Sequence, residues 1–155
     1  MTVQTSTGMV QTVDGLIRPD DLGVTLTHEH IISDASVLVP PPPQASLREL
    51  HARPPSLEAF GYSRHYSDII HNFEDVVLRD IPTAIEEMML YKQLGGESIV
   101  EASSVGLGRD PVALARISRA TGVNIIMGGS YYVATSHPAD MDDKSVDEIT
   151  DQIVE

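Results

Sequence analysis

Two histidines one residue apart, His28 and His30, have the spacing most specific for chemistry in this sequence. They end the segment 24–30, in which β-branched and apolar residues alternate with polar ones as in a strand. Side chains two positions apart on a strand point to the same face, so two imidazoles would project together, as a metal ion requires. The same alternation predicts that Val24 and Leu26 share this face. The chain has 6 histidines, so such a pair also arises by chance, and spacing alone leaves metal binding open.

An acidic residue within an apolar strand is the second candidate. Glu101 lies in the predicted strand 98–103. We expect Val100 and Ala102 to face outer helices, which turns Ile99, Glu101 and Ser103 towards the interior of the fold. A buried carboxylate needs a cation or hydrogen-bond donors. Glu101 is therefore interpreted either as a partner behind a metal-binding histidine or as the acidic half of a salt bridge with an arginine.

Two adjacent aromatic residues, Tyr131 and Tyr132, follow the predicted strand 123–128. Their rings could form the substrate-binding wall of a pocket for an apolar group. Because neighbouring residues in an extended chain point to opposite sides, at most one of the two is expected to line it directly.

The elements that position these residues alternate regularly along the chain. A hairpin is predicted around Asp14-Gly15, and three helices are predicted from 81 to 94, from 111 to 120 after Asp110, and from 146 after Ser145. Buried-looking strands that alternate with helices predict a parallel α/β sheet. Three such units alone do not distinguish an open sheet from a barrel.

A long segment, 33–75, interrupts this alternation directly after the first strand. Prolines at 40–43 and 54–55 break it, and Ser46 could begin one short helix. We expect the segment to pack over the carboxyl-terminal mouth of the sheet or into a subunit contact. A plain surface loop is the alternative.

Composition excludes several classes of protein. The 155 residues carry 10 Lys and Arg against 23 Asp and Glu, a net charge of −13, which disfavours nucleic acid and anionic membranes as partners. The chain has no cysteine, which excludes disulfides and thiolate metal sites. No signal peptide or membrane-spanning run is recognised, and we expect a cytoplasmic protein.

Five short blocks occur in an order that resembles the phosphotriesterase family of the amidohydrolase superfamily, and its phosphotriesterase-related proteins in particular. The blocks are residues 27–30, 95–101, 106–110, 121–126 and 129–132. The resemblance implies that residues 1–155 are the N-terminal part of one (β/α)₈ TIM barrel domain, comprising the hairpin and about three βα units. The chain ends inside a helical pattern, so we expect the barrel to continue beyond residue 155.

The resemblance also implies a binuclear metal centre. His28 and His30 match the family's pair of metal ligands on the first strand, and the other ligands and the catalytic residues are expected beyond residue 155. Two zinc ions are expected, with manganese, cobalt or iron as alternatives. Gly129-Ser130 stands where the family often has Thr-Gly, so the pocket rim differs there.

The implied activity is hydrolysis of an ester, lactone, amide or phosphotriester by a metal-activated hydroxide. For the complete enzyme we expect a homodimer that acts on a small molecule. The alternative is a non-catalytic binding or interaction protein that retains the start of the barrel without a working metal centre.

Overall fold

The computed structural model describes residues 8–53, 56–57, 60–61, 64 and 76–154. In this part of the chain the α-helices are α1 (Ala45–His51), α2 (Ile81–Gln93), α3 (Pro111–Thr121) and α4 (Val146–Val154). The strands are β1 (Val10–Thr12), β2 (Gly15–Ile17), β3 (Thr25–Glu29), β4 (Ser33–Asp34), β5 (Val77–Leu78), β6 (Ser98–Glu101) and β7 (Asn124–Met127). Short 3₁₀ helices occupy 19–21, 36–38, 105–107, 134–136 and 141–143.

A three-stranded parallel sheet in the order β3-β6-β7 forms the centre of this α/β fold. The antiparallel hairpin β1-β2 confirms the prediction around Asp14-Gly15. The Val13 amide attaches the hairpin to the sheet by donating to the Ile125 carbonyl at 2.9 Å. An ion pair between Asp14 and Arg119 at 2.7 Å attaches it to α3.

The helices begin at residues whose side chains accept hydrogen bonds from otherwise unpaired amides. Asp80 accepts from the Thr83 amide before α2, and Asp110 accepts from two amides before α3. Ser145 and Glu148 satisfy each other's backbone amides at the start of α4. α3 ends at Gly122, whose φ of +68° is accessible to glycine at little cost. These caps confirm the predicted starts after Asp110 and Ser145.

The core lies between the sheet and the helices that follow β3 and β6. Ile99 and Ile125 pair across β6 and β7 and pack with Leu114 and Ile117 of α3, all of them fully buried. The prediction that Ile99 faces the interior while Val100 faces the helices was therefore wrong. β6 has an apolar residue on each face, Ile99 on one and Val100 on the other, so alternation could not identify the helix side.

A β-bulge in β3 decides which way the histidines point. Leu26 pairs with Ile99 and Glu29 with Glu101, so three steps along β3 match two steps along β6. Leu26 therefore lies on the helix side with Ile99, and unbroken alternation would have placed His28 there too. The extra residue reverses the alternation and turns His28 to the other side. The prediction that Leu26 shares the face of the histidines was wrong for this reason.

The first residues of the segment 33–75, residues 33–38, lie at the carboxyl ends of the strands. The first two of these form β4, which pairs antiparallel with β5 to make a two-stranded ribbon. The Ala35 amide extends the ribbon by donating to the Val76 carbonyl at 3.0 Å. The 3₁₀ helix 36–38 also contacts the 3₁₀ helix 134–136, which follows β7. The predicted short helix is α1, which begins one residue before Ser46.

None of the helices within the described ranges has the length and apolar character needed to cross a membrane.

Candidate metal centre

A cavity of about 610 Å³ opens at the carboxyl ends of the three parallel strands. Its volume falls in the range of about 300–1,000 Å³ that small-molecule sites occupy. Four parts of the chain line it: Thr27, His28 and His30 from β3 and its end; Val100, Glu101, Ala102 and Leu107 from β6 and the following loop; Gly128, Ser130 and Tyr132 after β7; and Ser33, Ala35, Leu38, Val76 and Leu78 from the ribbon and the residues beside it.

The two histidines meet in this cavity. The ring centroids of His28 and His30 lie 5.8 Å apart, with the ring planes at 82° to each other. Both side chains are exposed to the cavity, which leaves ring nitrogens accessible to a ligand. The bulge that precedes Glu29 turns both histidines to the cavity, because it places His28 on the same side of the sheet as Thr27.

A chain of hydrogen bonds fixes the ring of His30. Its Nδ1 lies 2.9 Å from Ser103 Oγ, and this hydroxyl lies 2.5 Å from Glu101 Oε1. A carboxylate can only accept, so the single hydroxyl proton of Ser103 goes to Glu101, and Ser103 Oγ accepts from Nδ1–H of His30. Nε2 of His30 then carries the free lone pair, which is the form in which histidine binds a metal.

Glu101 is the buried anchor of this chain. Its side chain is 0% exposed, and it also accepts from the backbone amides of Ile31 at 3.3 Å and Ser103 at 3.1 Å. These three donors satisfy the carboxylate without a cation. In the described residues it has no arginine partner, so the salt bridge considered from the sequence is not formed there.

The sequence analysis placed Ser103 on the face of Glu101 but assigned it no role in the site. Its place two residues after Glu101 was a usable signal, since residues i and i+2 of an extended segment share a face. The predicted strand did extend to residue 103, whereas β6 ends at Glu101.

The two tyrosines separate as their adjacent positions imply. Tyr132 lines the cavity and is 59% exposed, whereas the Tyr131 hydroxyl donates to Gln152 of α4 at 2.6 Å. The Tyr131 ring also contacts His137 edge to face. Of the two tyrosines expected at the pocket, only Tyr132 lines the cavity. Tyr131 instead connects the loop after β7 to α4.

Close contacts hold together the loops that form the rim. Arg109 donates to the Gly128 carbonyl at 2.5 Å, which ties the loop after β6 to the end of β7. Gly106 packs directly on the backbone of Ser136, and a Cβ at position 106 would clash with the Ser136 carbonyl oxygen. The rim therefore depends on a glycine for steric reasons.

The carboxylate of Asp34, in β4, is held in its ionised form. Hydrogen bonds from Ser36, whose backbone amide donates at 3.0 Å, lower the pKa of Asp34, and Arg79 at 3.9 Å adds to this effect. The charged side chains of the ribbon, Asp34 and Arg79, pair with each other outside the cavity lining, whereas Val76 and Leu78 line the cavity.

His28 and His30 fit part of a metal centre. Zinc sites use three or four ligands at about 2.0–2.1 Å from nitrogen, and two imidazoles on one rigid strand end supply two of them. Across the described ranges, no three His, Cys, Asp or Glu side chains are grouped so as to hold a metal ion. The donor chemistry fits a divalent metal, and the set of ligands is partial.

Comparison with known proteins gives a consistent family. A model of the phosphotriesterase family matches residues 8–155. The N-acetyltaurine hydrolase of Danio rerio is 34% identical over 156 residues, covering 95% of this chain and 42% of the relative. A phosphotriesterase-related protein of Drosophila willistoni is 38% identical over 145 residues, covering 92% of this chain and 41% of the relative.

A solved structure supports the same relationship. The resiniferatoxin-binding protein from Rhodobacter sphaeroides superposes with a TM-score of 0.84 at 38% identity, covering 94% of this chain and 40% of that one. The chain thus spans about two-fifths of the length of the proteins it matches.

Proposed function

The chain belongs to the phosphotriesterase family, and we propose that it forms the first part of a metal-dependent hydrolase. In this proposal β3, β6 and β7 are the first three strands of a (β/α)₈ barrel. Residues 1–155 then belong to a single hydrolase domain, and the segment 33–75 is an excursion at its active-site end. The observation that carries the proposal is the meeting of His28 and His30 in a cavity at the carboxyl ends of parallel strands, where barrel active sites lie.

His28 and His30 would hold a divalent metal in this cavity. Two zinc ions are proposed for the complete centre, with manganese, cobalt or iron as alternatives, and the remaining ligands and catalytic residues are assigned to sequence beyond residue 155. When bound, the metal activates water and polarises the substrate oxygen.

The chain's own residues orient the site. Glu101, acting through Ser103, keeps the proton of His30 on Nδ1 and keeps Nε2 directed to the cavity. Tyr132 presents an aromatic surface to the substrate. In the reaction, the oxygen of water forms a bond to the carbonyl carbon or phosphorus, and the bond to the leaving oxygen or nitrogen breaks. The proton of water passes to the leaving group.

The substrate is proposed to be a small ester, lactone, amide or phosphotriester. The complete enzyme is proposed to work in the cytoplasm as a homodimer. Named relatives include an N-acetyltaurine hydrolase, which supports amide-bond hydrolysis as one form of this chemistry.

Binding without turnover is the second candidate function. The likeness to the resiniferatoxin-binding protein from Rhodobacter sphaeroides, at 38% identity, favours it. In that case the cavity would hold a small molecule, and the histidines would serve to bind it.

Metal analysis of the complete protein with its histidine variants distinguishes the two functions. Disrupting a residue behind a ligand commonly costs about 10–100-fold in metal affinity or activity, and direct ligands should cost more. We therefore expect His28→Ala and His30→Ala each to lose bound metal and more than about 100-fold in kcat/KM for phenyl acetate. His137→Ala, a histidine outside the cavity lining, is the matched control. Wild-type protein that binds no divalent metal would contradict the hydrolase proposal.

A further inference from the structure

An apolar surface faces the histidines from the segment that follows β3. It consists of Leu38, Val76 and Leu78, which we call the ribbon wall, and all three line the same cavity as His28 and His30. Val76 and Leu78 alternate along β5 and the residue before it, so both turn to one side of the ribbon. Leu38 ends the 3₁₀ helix that follows β4.

The ribbon wall retains apolar area that is not covered. Leu38 is 38% exposed and Leu78 is 47% exposed, although both lie in a cavity and not on an outer face. Removing such area from water yields about 25 cal/mol per Å². A group with an apolar surface would therefore gain affinity by covering these side chains.

The side chains at this wall offer no positive charge to an anionic substituent. Among the described residues that line the cavity there is no lysine or arginine. Glu101, with its buried carboxylate, is one of the lining residues. Arg79 follows Leu78 in sequence, but it pairs with Asp34 at 3.9 Å and lines a neighbouring cavity. A negative substituent would find no described cation here and would lie in the field of Glu101.

We propose that the ribbon wall determines specificity by binding a neutral, apolar substituent of the substrate, the acyl chain of an ester, lactone or amide. The proposal rests on the proposed hydrolase function and adds a substrate class to it. Tyr132 borders the same cavity from the loop after β7. The ribbon wall lies on the part of the chain between β3 and α2, so this part of the chain determines which acyl chain is accepted.

Three phenyl esters separate chain length from charge in the complete protein: phenyl acetate, phenyl hexanoate and monophenyl adipate, which ends in a carboxylate. One methylene in an apolar pocket is worth about 10–200-fold in discrimination when it is tightly enclosed. Because the wall is open on one side, we expect wild type to prefer hexanoate over acetate by only tens-fold in kcat/KM. The adipate ester should be no better than the acetate.

Leucine variants test whether the wall causes this preference. Leu38→Ala and Leu78→Ala should each reduce the hexanoate-to-acetate ratio several-fold, whereas Leu94→Ala should change neither this ratio nor kcat/KM for acetate. Leu94→Ala is the matched control, because Leu94 is 90% exposed and lies outside the cavity lining. An unchanged ratio in both wall variants, or a preference for the adipate ester in wild type, would overturn the proposal.

Binding of two ketones that cannot be hydrolysed tests the ribbon wall separately from the proposed hydrolase function on which it rests. Acetophenone and hexanophenone have the shapes of the acetate and hexanoate esters without the scissile oxygen, and calorimetry measures their Kd values. If the esters are not hydrolysed but hexanophenone binds more tightly than acetophenone and loses this advantage in Leu78→Ala, the hydrolase proposal fails and the ribbon wall stands. If the esters are hydrolysed but neither esters nor ketones are distinguished by chain length, the ribbon wall fails and the hydrolase stands.

Discussion

Replacing the buried carboxylate of Glu101 by an amide tests the hydrogen-bond chain behind His30. The Glu101→Gln variant has the same shape, so packing is preserved. Glu101 Oε1 accepts from the Ile31 amide and the Ser103 hydroxyl, and Oε2 accepts from the Ser103 amide. Glutamine has one carbonyl oxygen for these two positions, and its NH₂ group must face at least one backbone donor.

The magnitude follows from the number of donors left without an acceptor. In the better orientation the amide oxygen replaces Oε1, and only the Ser103 N–H loses its partner. An unsatisfied buried donor costs about 1–3 kcal/mol, and loss of the charge from the remaining bonds adds to this. We therefore expect Glu101→Gln to lower the free energy of unfolding by about 1–3 kcal/mol or slightly more.

Urea titration followed by circular dichroism measures this loss, with Glu86→Gln as the control. Glu86 is an exposed residue of α2, and its substitution should change stability by no more than about 0.5 kcal/mol. Metal affinity is the second readout. Ser103→Ala removes the hydroxyl that accepts from His30 Nδ1–H and should weaken metal binding by about 10–100-fold, whereas Glu101→Gln leaves the Ser103 hydroxyl a neutral acceptor and should weaken it less. Wild-type stability together with wild-type metal affinity in Glu101→Gln would refute the reasoning.

Three further predictions concern the elements around the site. Asp110→Ala removes the acceptor for two amides of α3 and should cost about 0.5–2 kcal/mol in urea unfolding, whereas Asp110→Asn should cost much less. Gly106→Ala should destabilise the protein and lower its thermal midpoint because its Cβ meets a backbone carbonyl, while Gly61→Ala, whose Cβ would meet none of the described residues, should not. Hydrogen bonds from Ser36 lower the pKa of Asp34 in the folded state, so its contribution to stability is complete above the ordinary carboxyl pKa and is lost as pH falls through the lowered value. Asp34→Asn should therefore flatten the acid limb of a stability-against-pH profile, and an unchanged limb would contradict this.

Local signals in the sequence sufficed for the regular elements. The starts of α3 and α4 follow from Asp110 and Ser145, and the hairpin follows from Asp14-Gly15. Each of these depends on residues within a few positions of one another, so the chain itself specifies them. The parallel arrangement of β3, β6 and β7 followed from the alternation of strands and helices.

The features that shape the site depend on distant contacts and were missed. The ribbon joins Ser33 to Leu78, 45 positions apart, and two-residue strands carry no periodicity of their own. The bulge in β3 is visible only against its neighbour β6, because it is a difference in register between two strands. His28 and His30 were identified correctly as neighbours, but alternation from Leu26 assigned them to the wrong side of the sheet relative to that residue.

Metal binding by the two histidines is tested most directly by anomalous X-ray diffraction from crystals of the complete protein grown with zinc. We expect an anomalous peak in the cavity about 2.0–2.1 Å from Nε2 of His30, with His28 as a second ligand and the hydrogen bond between His30 Nδ1 and Ser103 intact. A peak bound to Nδ1 of His30, or zinc bound only at sites away from both histidines, would contradict it.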